Sequence, residues 1–175
     1  TEFSLIQMGG FDSTGINSSG TLIYEPNDVW NSDVNTNVVI ANASSPFNKV
    51  LHISGDYDAT HMVYQSIYMA PDLAVEEYAT EKIYDPMTFK IAAFGKGTKQ
   101  FYSNDSTFRL KVMIQYYRGS TIGYEVEEKY FDFNPAITDW QFITGTVTTS
   151  AEPGYLVQEI VVALEYNHQP GEAFF

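Results

Sequence analysis

The feature that most constrains the fold is a series of short runs in which apolar and polar residues alternate. The runs are rich in β-branched and aromatic residues, and a period of two is typical of half-buried strands. Turn-forming Gly, Pro, Asn, Asp and Ser residues separate them, which predicts an all-β antiparallel β-sandwich. The predicted strands are VVI (38–40), KVLHIS (49–54), MVYQSIYM (62–69), TFKIAAF (88–94), FRLKVMIQYY (108–117), YEVEEKYFDF (124–133), WQFITGTVTT (140–149) and YLVQEIVVALEYN (155–167).

Two segments depart from the strand pattern. Asp72 is suited to cap the helix formers that follow it, which predicts one short helical turn in the 71–85 loop. Residues 12–37 are rich in Ser, Asn, Gly and Asp and predict long loops around one short strand. The 175 residues fit a single module, 1–175, because one sandwich of this length needs no second core. We expect the module to be excised from a larger protein.

Charge and cysteine content exclude several classes of function. The 22 acids against 9 bases give a net charge of -13, which repels phosphate backbones and anionic headgroups. Without cysteine there are no disulfides, thiolate nucleophiles or Cys-ligated metal sites. The sequence also contains no apolar run of about 18 residues, as a membrane-spanning helix would need. We therefore expect no nucleic-acid partner and no membrane insertion.

Two predicted strands show which residues face the core. In 108–117 and 155–167, one set of alternating positions is strongly apolar and the other is mixed. The inward set is Phe108, Leu110, Val112, Ile114 and Tyr116, with Ile160, Val162, Leu164 and Tyr166. The outward set is Arg109, Lys111, Met113, Gln115 and Tyr117, with Val161, Ala163, Glu165 and Asn167.

Five segments, in chain order, carry a family resemblance: SLIQMGGFD (4–12), KVLHISGD (49–56), TFKIAAFGKG (88–97), DWQFITGT (139–146) and NHQPGEAFF (167–175). Together they resemble jelly-roll carbohydrate-binding modules. These are galactose-binding-like β-sandwiches attached to xylanases and other glycoside hydrolases, and they also occur in bacterial surface proteins with Tyr-Asp repeats. The resemblance implies a jelly roll in a secreted or cell-surface bacterial protein, with a polysaccharide or glycan and other domains of the parent protein as partners.

The resemblance also implies a structural Ca²⁺ where the first and last strands meet. Its ligands in this chain would be Gly10, Asp12 and a carbonyl near Asn48, and the family's terminal Asp would follow directly after Phe175. Calcium suits such a site because it accepts several hard oxygen ligands in loose geometry. The alternative is that Asp12 is only a turn residue in a Gly-rich loop.

Candidate sugar-binding residues combine aromatic faces with groups that hydrogen-bond to hydroxyls. Trp30 lies in a polar loop and either stacks on a sugar or plugs the end of the sandwich. Trp140 alternates with Phe142 in a predicted strand and is assigned to the core. On the open sheet face the alternative to a ligand site is a set of solvated cross-strand partners. The residues expected to line a shallow cleft there are Phe94, Arg109, Lys111, Gln115, Tyr117 and Glu165.

The sequence lacks the spacing of known catalytic sites. Its three histidines lie in separate segments without the pattern of a zinc site or a hydrolase triad. The adjacent acids at 76–77 and 127–128 are typical of solvated charge. We therefore predict a non-enzymatic module that tethers a larger secreted or surface protein to a polysaccharide or glycan. The alternative is a structural or protein-interaction jelly roll with no sugar ligand.

Overall fold

A computed structural model of the protein describes residues 31–32, 38–42, 49–69, 83–98 and 103–175, and side chains from residue 50 onward within these ranges. Eight of the strands in these ranges match the predicted strands to within a few residues. A short strand within 12–37 and a strand in the terminal marker segment are present as well. The strands are β1 (Asn31–Ser32), β2 (Val38–Asn42), β3 (Lys49–Gly55), β4 (Met62–Tyr68), β5 (Thr88–Gly97), β6 (Thr107–Tyr117), β7 (Tyr124–Asp132), β8 (Gln141–Thr148), β9 (Leu156–Asn167) and β10 (Gly171–Phe174).

The strands form two antiparallel sheets. Sheet A has the order β1-β4-β9-β6-β7 and sheet B the order β2-β3-β10-β5-β8. From β3 to β6 and again from β7 to β10, each strand lies in the opposite sheet from the strand before it, which is how a jelly roll winds. The predicted all-β jelly-roll sandwich is confirmed.

The core lies between the two sheets and contains the residues that alternation assigns to it on β6 and β9. Every inward position predicted on β6 and β9 is at most 5% exposed. Phe108 stacks on Phe133 at 4.5 Å between ring centroids and meets Phe175 edge-on at 5.4 Å. Phe175 also exchanges two backbone hydrogen bonds with Leu51, so the chain end is held beside β3. Burial of these rings stabilises the sandwich.

Two glycines let aromatic rings from one sheet approach the backbone of the other. A β-carbon at Gly145 of β8 would lie 2.5 Å from Cζ of Phe131, which projects from β7. A β-carbon at Gly95 of β5 would lie 2.5 Å from Cε1 of Phe133. No other residue fits at either position without moving a ring, because heavy atoms do not approach this closely. The glycines thus bring the end of β7 against sheet B.

The predicted helical turn falls mostly on residues outside the described ranges. Of the 71–85 loop, only 83–85 are described, and these three residues are not helical. The described segments contain no helix of the length and apolar character needed to cross a membrane.

Candidate functional site

The candidate site is the outer face of sheet A, where polar side chains of three adjacent strands meet. The register pairs Lys111 of β6 with Ala163 of β9 on one side and with Tyr130 of β7 on the other. Side chains at paired positions project from the same face of a sheet. We call this surface the polar face, and its members are Arg109, Lys111, Gln115, Tyr117, Tyr124, Glu128, Tyr130 and Glu165.

Glu165 is the charged centre of the polar face. It is only 4% exposed, yet its side chain points away from the apolar core. Its Oε2 accepts a hydrogen bond from Nε of Arg109 at 2.6 Å, and its Oε1 lies 3.5 Å from Nζ of Lys111. A buried carboxylate persists only where cations and hydrogen bonds replace its water. Glu165 therefore holds both bases in fixed positions.

A second carboxylate, on the neighbouring strand, extends this network to an aromatic ring. Nζ of Lys111 lies 2.8 Å from Oε1 of Glu128, and the hydroxyl of Tyr130 donates to Oε2 of the same carboxylate. The guanidinium carbon of Arg109 lies 4.0 Å from the centroid of the Tyr130 ring, a cation–π contact. Tyr130 remains 44% exposed. Its ring is therefore held by Arg109 and Glu128 and is still open to solvent.

The same contacts fix the protonation states of these groups. The hydrogen bond from Lys111, followed by that from Tyr130, lowers the pKa of the Glu128 carboxyl. The pKa of Tyr130 is raised, first because its hydroxyl donates to Glu128 and then by burial. Burial lowers the pKa of Lys111, but the hydrogen bond to Glu128 and the charge of Glu165 outweigh it and the pKa is raised. At neutral pH the face carries ammonium, carboxylate and neutral phenol groups.

The other predicted residues of sheet A lie along the same face. Gln115 is half-buried and pairs in register with Val126 and Glu159. Tyr117 is buried, and its ring lies 5.4 Å from that of Tyr124, which is exposed. A register shift between β6 and β9 follows Gln115, next to this buried end of β6. The open aromatic ring at this end belongs to Tyr124.

Phe94 does not belong to the predicted cleft. It lies on β5 in sheet B, where it pairs with Phe142, whereas the other five predicted sheet-face residues lie in sheet A. The prediction of one cleft containing Phe94 is therefore wrong. Alternation tells which side of a strand a residue occupies, but it does not tell which sheet the strand joins.

The remaining predicted residues have different outcomes. Trp30 and the predicted calcium ligands Gly10, Asp12 and Asn48 lie outside the described residues or side chains. Trp140 precedes β8 and is half-buried, and it is not a member of the core cluster.

Sequence reasoning missed the contribution of β7. The sequence pattern places Glu128 among solvated charges and does not single out Tyr130, although both contact Lys111 or Arg109. A usable pattern exists in the sequence: the Gly-containing turn at 118–123 joins two alternating runs. Folding these runs back on each other as a hairpin pairs Tyr117 with Tyr124 and then Lys111 with Tyr130.

The polar face combines exposed aromatic rings with charged groups. Among the described residues, no group of three or more His, Asp or Glu side chains is placed to hold a metal ion. The face instead offers exposed aromatic rings beside ammonium, guanidinium and carboxylate groups in fixed positions. Rings cover the C–H surface of a sugar, and such polar groups exchange hydrogen bonds with hydroxyls.

No protein-family model and no curated protein sequence matches the chain. Among solved structures it is similar to a "Family 16 Carbohydrate Binding Module-2", at 18% identity and a TM-score of 0.48 over 98% of this chain and 94% of that one. It is also similar to TmCBM61 in complex with β-1,4-galactotriose, at 10% identity and a TM-score of 0.47 over 99% and 94%. A third is the CBM22-1 xylan-binding domain from Paenibacillus barcinonensis Xyn10C, at 10% identity and a TM-score of 0.45 over 83% and 80%.

All three are carbohydrate-binding modules, the group that the five sequence segments resemble. Because these matches lie below 25% identity and below a TM-score of 0.5, the function of the chain is inferred from the residues of the sandwich alone.

Proposed function

We propose that the protein is a non-catalytic carbohydrate-binding module whose polar face binds a glycan. The observation that carries this proposal is the fixed, half-exposed ring of Tyr130. Arg109 contacts the ring, and Glu128 accepts from its hydroxyl. A ring already held in place loses little conformational entropy when a ligand stacks on it, so more of the contact energy remains for binding.

The charge balance of the face favours a neutral glycan. Arg109 and Lys111 are each paired with Glu165, and Lys111 is paired with Glu128 as well. Neither cation is left to attract an anionic ligand, while the exposed carboxylate of Glu128 can still accept hydrogen bonds from hydroxyl donors. Neutral sugars offer many such hydroxyls, and hydrogen bonds to charged groups are stronger than those between neutral groups.

The same pairing supports a binding role rather than glycoside hydrolysis. A general acid needs a raised pKa so that it holds a proton at neutral pH. The pKa of Glu128 is lowered by Lys111 and Tyr130. The oxygens of Glu165 are taken up by two bases.

The proposal extends to the predicted setting of the chain. The module belongs to an extracellular or surface protein and tethers it to a polysaccharide. A structural Ca²⁺ is held by Gly10, Asp12 and Asn48.

The test is a screen of the domain against neutral plant, bacterial and host glycans, followed by titration calorimetry on each hit. We expect Tyr130→Ala to weaken binding about tenfold or more, the cost of truncating an aromatic anchor. Tyr130→Phe keeps the ring but loses the bond to Glu128 and should have a smaller effect. Ile122→Ala is the matched control, because Ile122 is 54% exposed but lies in the turn between β6 and β7.

Two outcomes would contradict the proposal. If no neutral glycan binds, the alternative of a structural or protein-interaction module is favoured. If a glycan binds with equal affinity to the protein and to Tyr130→Ala, the ligand does not use the polar face.

A further inference from the structure

The outer face of sheet B carries a second set of exposed side chains, on the opposite side of the sandwich from the polar face. It is formed by the neighbouring strands β5 and β8, paired in register from Thr88 and Thr148 to Gly95 and Gln141. The outward positions of β8 are all exposed. We call this surface the Phe–Thr face, and its members are Thr88, Lys90, Ala92, Phe94, Phe142, Thr144, Thr146 and Thr148.

An aromatic pair lies at one end of the Phe–Thr face. Phe94 and Phe142 are directly opposite each other, with ring centroids 4.7 Å apart and a tilt of 40°. Phe142 is 57% exposed and Phe94 45%. A phenylalanine ring gains nothing from water, so two adjacent exposed rings on a regular strand pair are typical of a binding surface. Together they form an apolar platform.

A row of hydroxyls continues from the aromatic pair. Thr144, Thr146 and Thr148 follow Phe142 at alternate positions of β8, about 7 Å apart along the strand. The Thr88 and Thr148 hydroxyls lie 3.0 Å apart across the two strands. Exposed hydroxyls donate and accept hydrogen bonds and lose little side-chain entropy when they do so. The row therefore suits a ligand that is rich in hydroxyl groups.

The charge of this face differs from that of the rest of the described protein. Lys90 projects from the Phe–Thr face, and Lys96 projects beside Phe94 on the same side of β5. Among the described residues, neither lysine forms an ion pair, and β5 and β8 contain no acid. Glu172 of β10 shares this side of sheet B, but its carboxylate contacts His52. Among the lysines and arginines whose side chains are described, the other four each pair with a glutamate: Arg109, Lys111, Arg118 and Lys129.

We propose that the Phe–Thr face is a second binding site, which takes an acidic polysaccharide with carboxylates on its sugars. The sugar rings stack on Phe94 and Phe142, the hydroxyls bond to the threonine row, and the carboxylates pair with Lys90 and Lys96. The two lysines are six positions apart on one strand, or about 20 Å, so the ligand is a chain rather than a single sugar.

The net charge of the protein does not prevent such binding. At physiological ionic strength, charges farther than about 8 Å from a bound carboxylate are largely screened. The local lysines therefore decide the sign of the interaction, and the affinity falls as salt is added. The two faces then bind glycans of different charge. The polar face of sheet A, whose cations are paired with carboxylates, binds neutral glycan, and the Phe–Thr face of sheet B binds acidic glycan.

The probe is polygalacturonate, with its methyl-esterified form as the neutral counterpart, in affinity gels and calorimetry at low and high salt. We expect Phe142→Ala to weaken polygalacturonate binding about tenfold or more. The double variant Lys90→Gln and Lys96→Gln should weaken it several-fold and remove its salt dependence. Ile122→Ala is again the control, and thermal unfolding of each variant shows that it is folded.

Three results would overturn this inference, and each is separate from failure of the polar-face proposal. The first is equal affinity for polygalacturonate and its methyl ester. The second is polygalacturonate binding that is unchanged by Phe142→Ala. The third is a mass that rises with protein concentration and is restored to the monomer value by Phe142→Ala, which would show that a second copy of the chain covers the face. Binding of neutral glycans that depends on Tyr130 is unaffected by any of these results.

Discussion

Gly145→Ala tests whether a single close contact holds strand β7, and with it the polar face, against sheet B. A β-carbon at this position would lie 2.5 Å from Cζ of Phe131 and nearer still to two other ring atoms. Phe131 is half-buried and packs against the core cluster, so the ring must move outward to make room. Phe131 pairs with Leu110 of β6 within sheet A and directly follows Tyr130 in sequence, so its displacement shifts β7.

The magnitude follows from two opposing effects. Overpacking a well-packed site costs about 1–3 kcal/mol. Replacing glycine by alanine lowers the conformational entropy of the unfolded chain, which raises the free energy of unfolding by about 0.4–1 kcal/mol. The free energy of unfolding should therefore fall by about 1–2 kcal/mol, which for a domain of this size lowers Tm by about 2–8 °C. Because Tyr130 moves with β7, glycan affinity at the polar face should fall as well.

The assay is a double-mutant cycle in thermal and urea unfolding. Phe131→Ala removes the ring that the new methyl group would meet, so Gly145→Ala should be neutral or stabilising in that background. The single and double variants thus have different signs of effect at position 145. If Gly145→Ala lowers stability equally with and without the Phe131 ring, the cost comes from the backbone of β8 and the reasoning from the contact is refuted.

Two further predictions concern pH and calcium. In the folded state, Lys111 holds the pKa of Glu128 below its ordinary value of 4.5, and Lys129 does the same for Glu127. Both carboxylates therefore stabilise the fold above about pH 4.5. This contribution to stability is lost as the pH falls through the lowered folded-state pKa values. Tm should therefore drop less steeply with acidification in Glu128→Gln than in the wild type, and identical curves would contradict this. In a chain extended past Phe175, calcium at one hundred times its dissociation constant should raise stability by about 2.7 kcal/mol, and Asp12→Ala should abolish the shift. A Tm unchanged by saturating calcium would show that the predicted ligand set is wrong.

The strands and their faces were predictable because alternation is a local property. Each inward position assigned on β6 and β9, such as Val112 and Leu164, is buried as predicted. A strand with one apolar face has only one orientation that buries it, so periodicity alone fixes which side chains enter the core. The same reasoning correctly placed Arg109 and Glu165 on the outer side.

The composition of the candidate site was less predictable because it depends on which strands are neighbours. Phe94 has the outward position that alternation assigns to it, but its strand joins sheet B, and so it contributes to a different face. Glu128 looked like solvated charge because its partner Lys111 is 17 positions earlier in the chain, across a turn. Neither fact is contained in the pattern of one strand.

By itself, the sequence determined that the chain forms a β-sandwich, where its strands lie and which residues fill the core. It also set the charge balance and, through the five resembling segments, pointed to carbohydrate. Only the tertiary structure decided which outward side chains meet. It buried Glu165 between Arg109 and Lys111 and fixed the Tyr130 ring beside them. Among the described residues, it left Lys90 and Lys96 without an ion pair on the strand that carries Phe94. The physical reason is that strand alternation depends on neighbours in sequence, whereas ion pairs and ring contacts depend on the strand order and register of the whole sheet.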